Sequence, residues 1–121
     1  MYKKAITYTD FDGTEKTKNF YFNMTRPELL EMKRSPLFEM QTLVDRINAM
    51  DNPEEEISYA ERDEMQSTLG DILRNLVIQA YGVKSEDGSR FLKRIGDRRY
   101  GQGEAFTETM AYDALYMEMM D

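Results

Sequence analysis

The sequence predicts an α+β fold that is mainly α: an N-terminal β-hairpin over residues 2–23, then a bundle of about four to five helices over 25–121. Three observations predict it. β-favouring side chains alternate on both sides of an Asp12-Gly13 pair, and further along apolar residues recur at intervals of three and four. No Pro/Gly/Ser-rich linker divides the 121 residues, a length that suits one domain, 1–121.

The hairpin rests on Tyr2, Ile6, Tyr8 and Phe11 before Asp12-Gly13 and on Phe20, Tyr21 and Phe22 after it. Asp-Gly takes the positive φ angles of tight hairpin turns. Two strands alone are marginal in water, so the aromatic face needs cover from helices or an edge needs a neighbouring subunit. Thr25-Arg26-Pro27-Glu28 spells a capping box, with Pro27 tolerated in the first helical turn. Ser35-Pro36 marks another helix start, and Leu37, Met40, Val44 and Ile47, with Leu43 and Met50 beside them, form a stripe whose expected partner is the next long helix. Asp51 to Glu56 reads as a turn with a second cap, its glutamates complementing the helix dipole.

From Met65 onward, Leu69, Ile72, Leu73, Leu76, Val77 and Ala80 make the clearest amphipathic pattern, expected to be the spine of the core. Gly82 stands where a helix favours a left-handed residue just past its end. Lys84 to Gly88 follows as a polar turn in which Ser85 and Asp87 bond backbone amides. Gly96 and the Gly101-Gln102-Gly103 pair bracket Asp97 to Tyr100 as an expected flexible loop. The closing helix, capped by Thr109, carries Tyr112, Leu115, Tyr116, Met117 and Met119. Such a face serves as core filler or as an adaptable surface for apolar partners.

Composition narrows the function. The chain has no Cys and no His, which removes thiolate and imidazole from catalysis and metal binding, and no nucleophilic constellation or calcium loop is spelled. We therefore expect no catalytic residue, metal ligand or cofactor. A mean hydropathy of -0.71 and the lack of a long apolar run predict no membrane span and no secretion signal, with the cytoplasm as default location. The net charge is -7 with 32% charged residues, which disfavours nucleic acid. Within residues 84 to 99, six basic and three acidic residues make a local charge of +3, leaving -10 for the rest. Arg90, Lys93, Arg94, Arg98 and Arg99 are therefore candidates for self-association with an acidic neighbour.

Tyr81-Gly82-Val83-Lys84-Ser85-Glu86-Asp87-Gly88-Ser89-Arg90-Phe91 resembles a signature of tail assembly chaperones from long-tailed phages of Gram-positive hosts, YG-x-KS-x-DG-x-x-F. Two further blocks, Ile6 to Gly13 with Phe20 to Thr25, and Phe106 to Leu115, are similar to that family's opening and closing segments, while Pro27 to Met65 matches only in helical character. Many members continue past the segment matching Met110 to Met120. The resemblance singles out Tyr81, Gly82, Lys84, Ser85, Asp87, Gly88 and Phe91 as the signature turn. It implies a non-catalytic protein of the host cytoplasm that keeps the tape measure protein soluble, helps recruit tail tube subunits, associates with itself and is absent from the mature virion. Tyr112, Leu115, Tyr116, Met117 and Met119 are then the candidate partner contacts. A structural tail component, such as a connector or tube-associated subunit, is the alternative.

Overall fold

The computed structural model describes residues 1–31, 36–50 and 58–120. Strands β1 (Tyr2–Thr9) and β2 (Glu15–Phe22) lead into helices α1 (Arg26–Glu31), α2 (Pro36–Asn48) and α3 (Tyr59–Ala80). Strands β3 (Tyr81–Lys84) and β4 (Phe91–Leu92) and helices α4 (Gly101–Phe106) and α5 (Met110–Met120) complete the chain. The four strands form one antiparallel sheet in the order β1-β2-β3-β4.

The hairpin forms for the reason its sequence gives. The Asp10 carboxylate accepts from the Asp12 and Thr14 amides, and Gly13 takes φ 82°, closing the turn that pairs Tyr2 with Phe22 and Thr9 with Glu15. Even-numbered β1 residues share a face with Phe20 and Phe22, so Ile6 is buried while Thr7 faces outward against Thr17.

The capping box is present at α1: Glu28 accepts from the Thr25 amide and hydroxyl, and the Glu28 amide donates to the Thr25 hydroxyl. Ser58 caps α3 by accepting from the Glu61 amide. The expected cap and turn over Asp51 to Glu56, and Ser35 in the Ser35-Pro36 start, lie outside the described residues. Helix α2 contacts α3, the expected neighbour of its stripe, although Val44 of that stripe remains exposed. Thr109 caps α5 by accepting from the Tyr112 amide.

The predicted bundle of four to five helices is not what forms. The described residues hold five helices, but α3 passes directly into β3, which pairs with β2 and then with β4, so the sheet doubles from two strands to four. The core accordingly lies between sheet and helices: Ile6 and Phe22 meet Leu73, Val77 and Ala80 of α3, Phe106 of α4, and Ala111 and Leu115 of α5. Phe106 stacks on Tyr81 with ring centroids 4.4 Å apart, and Phe20 and Phe22 approach both rings. The α3 stripe is the spine expected of it, but its C-terminal half covers a sheet.

Two glycine readings change with this topology. Gly82 is a strand residue, not a left-handed helix terminus; its close neighbour is the Phe91 ring, which a β-carbon would meet at 2.5 Å. Gly96, at φ 59°, and Gly101 do bracket a turn over Asp97 to Tyr100, but Gly101 and Gly103 do not belong to it. They begin α4 and are buried, Gly103 so close to α3 that a β-carbon would stand 1.8 Å from the Ile78 carbonyl oxygen.

Candidate functional site

The signature segment is a hairpin turn that consumes its own polar groups. Asp87 Oδ1 accepts from the Ser85 hydroxyl at 2.7 Å and from the Ser89 hydroxyl and amide at 2.8 and 3.0 Å. The Ser85 hydroxyl in turn accepts from the Arg90 amide, and Gly88 turns the chain at φ 74°. The Ser85 hydroxyl, followed by the Ser89 amide and hydroxyl, holds the Asp87 carboxyl down at about 2. Lys84 lies over the Tyr21 ring, 4.4 Å from its centroid, and Phe91 covers Gly82. Tyr81 joins the aromatic core. Ser85, Asp87 and Gly88 thus close the turn that registers β3 against β4, with Gly82, Lys84 and Phe91 on its two strands, whereas Tyr81 pairs with Phe22 and packs on Phe106.

The five candidate contacts on α5 divide three ways. Leu115 and Met119, one turn apart, line an apolar groove of about 130 Å³ completed by Tyr2 and Phe22 of the hairpin and by Leu73, Leu76, Val77 and Ala80 of α3. A void of that order accepts one aliphatic or ring side chain. Leu115 forms the floor at 4% exposure and Met119 the rim at 52%. Tyr112 and Tyr116 lie on the other flank, in a polar hollow with Asp71, Arg74 and Asp113, where the Tyr116 hydroxyl rests on Gly70. Met117 points away from both at 56% exposure. The Lys4–Glu118 ion pair ties this helix to β1 at 2.6 Å. Sequence reasoning missed Tyr2, Phe22 and Leu76 as groove residues. The hairpin alternation puts the first two on the core face, but only the chain's tertiary course brings them to α5.

The basic segment also divides. Lys93 turns inward: its ammonium donates to the carbonyls of Asn23 and Gln79 at 2.6 and 2.7 Å and to Glu28 Oε2 at 2.7 Å. Arg98 pairs with Glu104. Arg90, Arg94 and Arg99 are exposed, and the Arg99 guanidinium lies over the Tyr100 ring. Arg94 and Arg99 border a cleft of about 270 Å³ whose walls include Phe91, Tyr100, Lys93 and Glu28. Burial pushes the Glu28 carboxyl up, but its bonds to Lys93 and Thr25 outweigh that and hold it below the usual range.

Among the described residues, no group of three or more His, Cys, Asp or Glu side chains is placed to hold a metal ion, and no helix is long and apolar enough to cross a membrane. A family model described as phage tail assembly chaperone matches residues 1–121, the whole length. Comparison with curated proteins and with solved structures gave no significant match.

Proposed function

This chain belongs to the phage tail assembly chaperone family, and from that premise we propose that it acts without catalysis, holding an apolar stripe of the tape measure protein by seating one of its side chains in the groove between α3, α5 and the hairpin. The family places its action in tail assembly, within the host cell. The observation that carries the more specific reading is the groove itself: an entirely apolar lining opens to solvent beside Met119, which is more than half exposed. Methionine side chains adapt to apolar partners of irregular shape, which suits a chaperone meeting many turns of one long helical client. Recruitment of tail tube subunits and release before the virion is complete belong to the same reading.

Co-expression with the tape measure protein encoded beside it tests the proposal. Wild type should keep the tape measure soluble in a large complex, and Met119→Asp should lose that complex while remaining folded. Retention of the complex by Met119→Asp overturns the groove as the contact. Recovery of the protein in fixed stoichiometry from purified mature tails favours the structural-component reading instead.

A further inference from the structure

We infer that the outer face of the sheet, around Tyr21, docks an acidic, extended segment of a protein other than the groove's client. The hairpin register sorts β1 and β2 into two faces. Ile6, Phe20 and Phe22 turn toward the helices, while Lys3 pairs with Tyr21, Ala5 with Asn19 and Thr7 with Thr17 on the opposite side. Lys3, Ala5, Thr7, Thr17 and Asn19 are all exposed there. Strand β3 continues the face, because Gly82 pairs with Tyr21 and Lys84 stands two residues further along the same side.

Two cations flank Tyr21. Lys3 is its cross-strand partner, and the Lys84 ammonium lies 4.4 Å from its ring centroid, held by the ring's electrons without being neutralised. Among the described residues, neither lysine makes an ion pair, not even with Glu86 of the adjoining turn, whereas Lys4 on the covered face is held by Glu118. The acid that the hairpin turns to this outer face is Glu15, six residues before Tyr21, which is roughly 20 Å at the rise of a strand and well beyond a Debye length of about 8 Å. In a chain of net charge -7, the fold thus leaves a positive spot without an internal counter-charge.

Carboxylates complement that charge, and the short side chains of Ala5, Thr7 and Asn19 let an extended backbone lie close to the sheet. A second copy fits less well, because two copies meeting by this face across a two-fold axis would set the lysines against themselves. Nucleic acid also fits less well: Lys84 already covers the Tyr21 ring on which a base would stack, and the net charge of -7 repels phosphate. The face shares no residue with the groove, whose Tyr2 and Phe22 lie on the opposite side of the same strands. One copy can therefore hold a client in the groove and a second protein on the sheet.

An NMR titration of the purified, isotope-labelled protein with a synthetic peptide of alternating glutamate and threonine tests it, with lysine replacing glutamate in a control peptide. No tape measure is needed, so the result stays readable whatever the groove binds. The glutamate peptide should shift the amides of Lys3, Tyr21 and Lys84 and lose affinity as salt rises from about 50 to 500 mM; the lysine peptide should shift none of them. Lys3→Glu and Lys84→Glu, each checked for folding by circular dichroism, should each weaken binding about fivefold, the worth of one exposed ion pair. Lys3 stands outside the signature turn, so its effect cannot come from a disturbed turn. No shift at these three residues, or unchanged affinity in Lys3→Glu, overturns the inference. Shifts at the same residues on concentrating the protein without peptide overturn it in favour of a second copy, and tighter binding of a single-stranded oligonucleotide there overturns it in favour of a phosphate partner.

Discussion

The Lys93 ammonium stands 2.7 Å from the Glu28 carboxylate, with the two side chains 11% and 14% exposed. Around this pair four segments meet: the end of β2 through the Asn23 carbonyl, α1 through Glu28, the last turn of α3 through the Gln79 carbonyl, and the chain just past β4 through Lys93 itself. Removing the lysine leaves a carboxylate below the surface without its cation and two carbonyls without their donor.

Lys93→Met should therefore destabilise the fold by about 2–4 kcal/mol, read as a lower urea midpoint at unchanged slope. Adding Glu28→Gln should recover part of that loss, because the buried charge goes with it. A double variant no more stable than Lys93→Met would show that the lost lysine contacts to the two carbonyls matter more than the orphaned carboxylate.

Asp87 makes a prediction about pH. Its carboxyl titrates at about 2 in the fold against an ordinary 3.8. A depressed carboxylate contributes stability that is complete above the unfolded value and lost as pH falls through the folded one. Stability should thus decline between about pH 4 and pH 2, and Asp87→Asn should remove part of that slope. Carboxyl-carbon NMR provides the direct reading: an Asp87 midpoint near 4 would contradict the hydrogen-bonded turn.

What the sequence could and could not reveal follows from the range of each cause. The Asp12-Gly13 turn, the Thr25–Glu28 box, the Lys84–Gly88 turn and the Thr109 cap are made by residues within a few positions of one another, and all four stand where the spelling puts them. The long α3 stripe was legible because it repeats. By contrast, β3 is four residues long and starts where α3 stops, too short for an alternation to show. Gly82 carries two opposite meanings: a left-handed helix end and a strand position crowded by an aromatic ring both favour glycine, and the pairing of Gly82 with Tyr21 and of Lys84 with Phe91 decides between them. The candidate surfaces were legible by composition but not by member, because whether Lys93 or Leu115 faces water depends on Glu28 and Phe22, more than sixty residues away in sequence.

Gly103 gives a test of the α4 packing against intuition from helix preference. Alanine is favoured over glycine inside a helix by about 1 kcal/mol, yet here its β-carbon would overlap the Ile78 carbonyl, a backbone group that cannot swing aside. Gly103→Ala should cost at least about 2 kcal/mol. Gly88→Ala, which has open space but a φ of 74°, should cost about 1 kcal/mol. The reverse order in thermal unfolding would mean that α4 does not dock on α3 as described.

Leu115 and Met119 separate folding from binding within one turn of α5. Leu115 reaches the core, touching the cluster that joins β1, β2 and α3, so Leu115→Ala should lower stability by about 2–5 kcal/mol. Any loss of tape measure binding that it shows would be confounded by unfolding. Met119 contributes its side chain to the groove rim while half of it remains in water; Met119→Ala should change stability by under about 0.5 kcal/mol, as surface changes do. If the groove is where the client sits, Met119→Ala should weaken co-purification at nearly unchanged melting temperature, and Met117→Ala, exposed but outside the groove, should weaken it less. Equal losses from the two methionines would move the contact from the groove to the outer face of α5.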